Sequence, residues 1–185
     1  PIRQLELVRL SDAIPTSSPI VQIDCGYTNT AILTADGKVY LAGRGLVDNT
    51  LNLKFQPVPG LENKFVKKVI AGPSRAFFLL DNGSLMAVGS NSYSQLGFLN
   101  NVETTTALKV PAFTFPRGDE PALVTDGTCS YSFSTFVVNR RHIFVCGQNW
   151  LLPSRSSSPS AYLDFPELQE DEYIEQISGG SFHVF

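Results

Sequence analysis

Short apolar runs of strand length alternate with polar turns along this chain, and no window sustains a 3.6-residue apolar period. Ala31-Ile32-Leu33 and Phe77-Phe78-Leu79-Leu80 are two such runs. Asp36-Gly37 and Asn82-Gly83 follow them, dipeptides that favour positive φ and predict tight type I′ hairpins. Val39-Tyr40-Leu41 and Leu85-Met86-Ala87-Val88 return as second strands. Ahead of each core lies another apolar stretch that reads as a feeding strand: "PIVQID" at 19–24, "KFVKKVIA" at 64–71, "PALVTD" at 121–126 and "YIEQIS" at 173–178. The pattern predicts an all-β architecture.

The runs belong to a repeat. "CGYTNTAILTADGKVYLAG" at 25–43, "AGPSRAFFLLDNGSLMAVG" at 71–89 and "CSYSFSTFVVNRRHIFVCG" at 129–147 align without a gap. Gly26, Gly72 and Ser130 each stand 17 residues before Gly43, Gly89 and Gly147, and "GGSFHVF" puts Gly180 in the same opening slot. The slots lie 46, 58 and 50 residues apart, a period that fits propeller blades of four antiparallel strands. The closing glycines permit close backbone approach or an unusual turn. In the third copy Arg140-Arg141 replaces Asp-Gly, so a looser turn is expected there. Proline-rich joins at 56–60, 110–116 and 151–160 limit strand extension. The expected division is an N-terminal segment 1–18, blades over 19–63, 64–120 and 121–172, and the start of a further blade at 173–185. Leu5, Leu7, Val8 and Leu10 in "QLELVRL" suggest a strand that closes a ring.

These residues resemble the repeats of the regulator of chromosome condensation family, whose members form seven-bladed propellers. "GSNSYSQLG" at 89–97 matches that family's "GxNxxGQLG" segment, with Ser94 in place of one glycine. "GQN" at 147–149 starts the segment and breaks off, and "GRG" at 43–45 keeps its outline. His183 occupies the family histidine position, where Asn29, Arg75 and Phe133 stand in the other copies. The resemblance gives this histidine a structural role, anchoring backbone within a blade. Ala42, Val88 and Cys146 replace the tryptophan often found before the second-strand glycine. At roughly 50 residues per unit, the chain holds about half of a seven-bladed ring. An incomplete ring is therefore expected, either a fragment or a half completed by another chain.

Composition narrows the chemistry. Hydrophobic content is 43%, charged content 17% and net charge −3, a globular composition without the basic excess of a direct nucleic-acid binder. No apolar run spans a membrane, and Pro1-Ile2-Arg3 does not open a basic-then-apolar leader. Cys25, Cys129 and Cys146 form no close pair, which argues against a disulfide framework or zinc site and for a reducing, cytoplasmic or nuclear, compartment. Their slots take small or apolar residues in other copies, so they read as core fillers rather than redox or metal groups. His142 matches Lys38 and Ser84 beside a hairpin, so it should be exposed. No nucleophile elbow, zinc-protease helix or phosphate-binding loop is present, so neither an enzyme nor a cofactor or metal site is expected.

The remaining candidates are contacts with a protein partner. Trp150, followed by Leu151 and Leu152, is either an exposed blade-rim anchor or a packing residue between blades. Tyr93 and Arg44 hold related positions in the preceding blades, and Arg155 lies in the serine-rich "PSRSSSPS" loop, where Ser158 precedes Pro159. The acidic run at 167–175 reads as a solvated connector, with steering of a basic partner as the alternative. The resemblance implies a non-catalytic interaction propeller, most specifically an exchange factor or regulator of a Ran-like small GTPase. The alternative is a scaffold or adaptor subunit, such as a ubiquitin-ligase substrate-binding module, without exchange activity.

Overall fold

The computed structural model describes residues 14, 17–44, 46, 51–98, 103–111, 122–148, 160–163 and 168–185. They form three four-stranded antiparallel sheets in simple up-and-down order. The first contains β1 (Ile20–Cys25), β2 (Asn29–Thr34), β3 (Val39–Arg44) and β4 (Leu51–Pro57). The second contains β5 (Val66–Gly72), β6 (Arg75–Leu80), β7 (Leu85–Gly89) and β8 (Thr104–Lys109). The third contains β9 (Val124–Cys129), β10 (Phe133–Val138), β11 (His142–Gly147) and β12 (Ser160–Tyr162). A single bridge, Gly179 to Val184, begins a fourth unit. The described residues are thus an incomplete propeller, as the repeat predicts. The expected closing segment at 4–10 lies outside them.

Alternation of side chains along the middle strands couples the blades. On β6, Ala76, Phe78 and Leu80 enter the core shared with the first blade, with Ala31, Leu33 and Val69. Phe77 and Leu79 enter the core shared with the third blade, with Phe136 and Val138. The rings of Phe77 and Phe136 meet edge-on at 4.9 Å. β10 repeats the division: Phe136 and Val138 face back, while Phe133 and Val137 face forward onto Ile177. A strand with two buried faces loses the polar half of its alternation, which is why these segments read as unbroken apolar runs.

The hairpins depart from expectation. Gly37 and Gly83 have φ of 76° and 77°, but Asp36 and Asn82 are not in the left-handed region. Gly37 N–H donates to Thr34 O (2.9 Å) and Thr34 N–H to Lys38 O (3.0 Å), with Gly83 and Leu80 repeating the pattern. These are three-residue loops with a left-handed glycine, not type I′ turns. The third copy supplies the type I′ φ signs: Asn139 and Arg140 both have positive φ (50° and 59°), and Arg141 N–H reaches Val138 O at 3.1 Å. Far from being loose, this turn supports the connector to the next unit. Arg141 donates to the carbonyls of Leu168, Gln169, Glu170 and Glu172.

Polar side chains lace each inner strand to the next. Gln22 binds both backbone groups of Val69, donating to its carbonyl (2.7 Å) and accepting from its N–H (2.9 Å). Asp24 accepts from Ala71 N–H at 2.8 Å. Lys68, in the slot of Gln22, donates to Asp126 at 2.6 Å. Asp126, again in that slot, accepts from Ile177 N–H in the fourth unit at 3.2 Å. An edge strand turns one row of backbone groups away from its sheet, and here side chains of the preceding blade satisfy part of that row.

Arg75 makes a second tie. It is fully buried. Nε donates to Ser134 Oγ (3.1 Å), Nη1 to Pro73 O (3.3 Å) and Tyr131 O (3.2 Å), and Nη2 to Ser130 O (2.5 Å) and Phe133 O (2.6 Å). A guanidinium has five N–H donors, and this one uses all five. Ser134 Oγ donates onward to Gln95 O (2.8 Å), which Cys146 Sγ also approaches (3.3 Å). Asn29, in the same repeat slot, donates to Gly72 O at 2.9 Å. Both residues therefore hold the following blade, and Arg75 also holds Pro73 O of its own. His183 lies with its ring over Gly180 and edge-on to Phe185 at 5.1 Å.

The cysteines divide. Cys146 is fully buried, as expected of a core filler, but Cys129 is half-buried and Cys25 is exposed. Cys25 ends β1 at the axial end of the sheet, where a small residue leaves space instead of filling a core. Burial pushes the Cys146 thiol up to about 12 and raises Cys129 as well, outweighing the nearby Arg75 cation in both cases.

Two predictions follow from these ties. Arg75→Met should cost at least about 3 kcal/mol in urea unfolding, because it strands several buried carbonyls, and Arg75→Lys should recover little. The exposed Lys67→Ala change should stay within about 0.5 kcal/mol. The second concerns alkaline pH. An unfolded thiol ionises near 9.0 but folded Cys146 near 12, so between these values the unfolded chain releases a proton that the folded chain keeps. Stability should therefore fall as pH rises from 9 towards 12, by about 1.4 kcal/mol per pH unit for each such thiol. Urea midpoints at pH 8 and 10 should show a smaller loss in Cys146→Ala than in the native chain.

Candidate functional site

The turns joining the first two strands of each unit converge on the axis. Gly26 N–H donates to Asn29 O, Ser130 N–H to Phe133 O, and Gly180 N–H to His183 O, each at 2.9 Å. Small residues at these turns let the units approach. A Cβ on Gly26 would collide with the carbonyl of Gly72, and one on Gly72 would meet the Cys129 side chain. Gly43, Gly89 and Gly147 close the same end of the sheets with φ of 119°, 108° and 106°. A Cβ there would strike the carbonyl oxygens of Thr28, Ser74 and Ser132. Both sequence-level reasons for glycine, close approach and unusual conformation, therefore hold at these three positions.

The turns enclose an open cavity of about 520 Å³ on the axis. Its throat is small and mostly uncharged: Cys25, Ala71, Cys129 and Gly179 occupy one repeat slot around it. Asp24 is the charged member of the lining, and its carboxylate is engaged by Cys25 N–H (3.0 Å) and Ala71 N–H. Above the throat, Tyr27, Pro73 and Tyr131 line the cavity, and Phe182 follows the lining residue Ser181. Tyr27, Tyr131 and Phe182 are 88%, 58% and 70% exposed. The Tyr131 and Phe182 rings lie 6.5 Å apart. Thr28 Oγ1, Asn29 Oδ1 and Ser130 Oγ, all at these turns, are buried without a hydrogen-bond partner among the described residues. Aromatic rings around a concavity with spare polar capacity suit recognition of another protein better than they suit acid–base chemistry. No group of three metal-ligating side chains occurs among the described residues.

The residues singled out from sequence are only partly brought to this face. Tyr93 is 43% exposed, in the loop after β7, with its N–H on Gln95 Oε1 at 2.7 Å. That loop is anchored beside the axial turns by Ser90 N–H to Ser74 O (2.8 Å), but Tyr93 does not line the cavity. Arg44 ends β3 at the same end of its sheet, where its backbone pairs with Leu51. Trp150, Arg155 and Ser158 lie outside the described residues. Sequence reasoning missed Tyr27, Tyr131 and Phe182. The available signal was an aromatic immediately after, or two residues after, the opening-slot residue in three of the four copies. His142 is exposed as expected, edge-on to Tyr162. No helix among the described residues is long and apolar enough to cross a membrane.

Residues 20–46 match the Regulator of chromosome condensation (RCC1) repeat. The chain is 30% identical over 138 residues to the X-linked retinitis pigmentosa GTPase regulator homolog of Caenorhabditis elegans, covering 70% of this chain and 10% of the relative. It is 28% identical over 124 residues to the mitochondrial RCC1 domain-containing protein RUG3 of Arabidopsis thaliana, covering 59% and 27%. The ultraviolet-B receptor UVR8 of the same plant matches at 22% identity, with 85% and 36% covered. This chain thus spans from a tenth to about a third of the length of these relatives. Among solved structures, Prp20p of Saccharomyces cerevisiae, described together with its binding to Gsp1p and histones, superposes with a TM-score of 0.66 at 17% identity. That likeness covers 92% of this chain and 44% of Prp20p. Human WBSCR16 superposes with a TM-score of 0.63 at 20% identity, covering 72% and 34%. The matched repeat, the four-stranded blades and the likeness in fold agree: this chain resembles the regulator of chromosome condensation repeat family, and its described residues form an incomplete propeller of that kind.

Proposed function

We propose that this chain is part of a protein-binding propeller that presents its axial rim to a Ran-like small GTPase and acts as a nucleotide exchange factor or regulator. The observation that carries this reading is the pair of exposed rings Tyr27 and Tyr131 lining one concave opening, with exposed Phe182 beside Tyr131 at 6.5 Å. Large rings supply interface area at low entropic cost and dominate binding energy when desolvated. Exchange needs no proton transfer. A surface that binds the nucleotide-free GTPase more tightly than the loaded form weakens nucleotide binding by the same factor, through linkage. The binding of Gsp1p by Prp20p and the GTPase-regulator name of the nematode relative support this choice of partner.

A scaffold without exchange activity is the second reading. It is favoured by the first and third blades, where the segment that 89–97 keeps survives as the outline "GRG" at 43–45 and breaks off after "GQN" at 147–149. The protein containing this chain should accelerate release of a fluorescent guanine nucleotide from at least one member of a small-GTPase panel. Tyr27→Ala with Tyr131→Ala should slow that release by about tenfold or more. Acceleration of none of them would reject the exchange reading, and binding without acceleration would establish the scaffold.

A further inference from the structure

The connector at 168–178 carries a feature that the binding face does not use. Arg141 holds its carbonyls, and Arg140 O accepts from Ile174 N–H at 2.7 Å, with Ile174 packed inward beside Phe133 and Val137. Tyr173 points the other way and is 54% exposed. The Arg140 guanidinium carbon stands 3.9 Å from the centroid of its ring. Exposed Glu170, Asp171, Glu172 and Glu175 occupy the same connector, yet the ion pairs among the described residues are Lys38–Asp36 and Lys68–Asp126. Arg140 pairs with none of the four. It also occupies a left-handed position that glycine would fill more cheaply. The turn therefore does not account for an arginine here, whereas the tyrosine does.

We infer that Tyr173 is a phosphorylation site and that Arg140 is the receptor for its phosphate. A protein tyrosine kinase transfers the γ-phosphoryl group of ATP. The bond from phosphorus to the bridging oxygen of ADP breaks, a bond to Tyr173 Oη forms, and the phenolic proton passes to the kinase's base. The product adds close to two negative charges and strong acceptor oxygens to a ring already held against a guanidinium. The planar fork of Arg140 can then swing from the ring face to the phosphate and bind it through two parallel N–H donors. Without that cation the phosphate would stand among the connector's carboxylates, with the Arg141 guanidinium already committed to the carbonyls of Glu170 and Glu172. The carboxylates specify the enzyme, since a kinase with a basic substrate cleft selects them by charge. Tyr27, Tyr93 and Tyr131 are also exposed, but within three residues they have a single carboxylate between them, Asp24 beside Tyr27, against four around Tyr173. Peeling the connector for modification breaks the Arg141 clasps and the backbone bond from Ile174 N–H to Arg140 O, not a sheet ladder, so it needs only a local opening.

The test treats the chain with ATP and an acid-directed tyrosine kinase and maps phosphate by mass spectrometry. Tyr173 should be modified about tenfold faster than Tyr27, Tyr93 or Tyr131. Limited proteolysis between 168 and 178 should then be unchanged or slower in the phosphorylated chain, and several-fold faster in phosphorylated Arg140→Ala. Unmodified Arg140→Ala, checked by circular dichroism, separates misfolding from loss of the receptor, and Arg140→Lys should restore part of the protection. Equal modification of the other tyrosines would overturn the site. Equal loosening of the native and Arg140→Ala connectors would overturn the receptor. Both readouts are independent of any GTPase.

Discussion

Each blade of this fold presents, on its axial side, an edge strand with one row of backbone groups unused by its own sheet. How that row is satisfied governs the rest of the structure. Gln22 imitates a backbone pair by donating to and accepting from Val69, and Asp126 reaches Ile177 from the same repeat slot. Arg75 adds a buried cation whose acceptors are four carbonyls and a hydroxyl, with no ion-pair partner among the described residues. Such a group is costly to bury and more costly to leave unpaired, so the third blade must be in register for the second to be stable. The axial turns stand on this frame, and so do the rings of the rim.

Much of the fold was legible because few residue types satisfy its steric demands. The closing glycines repeat where φ is positive and a carbonyl lies too close for a side chain. The middle strands announced themselves through two buried faces. The outer strands were quieter: on β8 only Ala107 is buried, so Thr104–Lys109 carries almost no apolar pattern. Turn type was misread because a glycine at the left-handed position serves both two- and three-residue loops. The bonds of Thr34 and Gly37 decide between them. Cys25 was misread because equivalence in the repeat fixes a slot but not what surrounds it. Ala71 and Cys25 share a slot, yet one is half-buried and the other exposed.

The candidate site was the least legible part, and the reason is geometric. Tyr27, Tyr131 and Phe182 are separated by about a hundred residues and then fifty, and only the packing of successive blades brings Tyr27 and Tyr131 to one cavity and Phe182 beside Tyr131. The segment that does stand out in sequence, 89–97, packs instead: Asn91, Gln95 and Leu96 are buried, and Gln95 O takes hydrogen bonds from Ser134 and Cys146. A conspicuous motif thus marks a joint between blades, while the surface suited to recognition comes from inconspicuous turns. The arginine pair in the third hairpin makes the same point, since its meaning lies in the connector thirty residues away.

The division of β6 between two cores bears on how such a molecule comes apart. Its odd-numbered and even-numbered residues serve different neighbours, so no blade owns a private core that could survive alone. Melting one blade exposes half of the apolar surface of each blade beside it, and that loss is passed along the arc. Partly melted forms are therefore penalised at every internal boundary. Cooperativity here grows with the number of contiguous blades, and damage at either end of the arc costs less than the same damage in the middle.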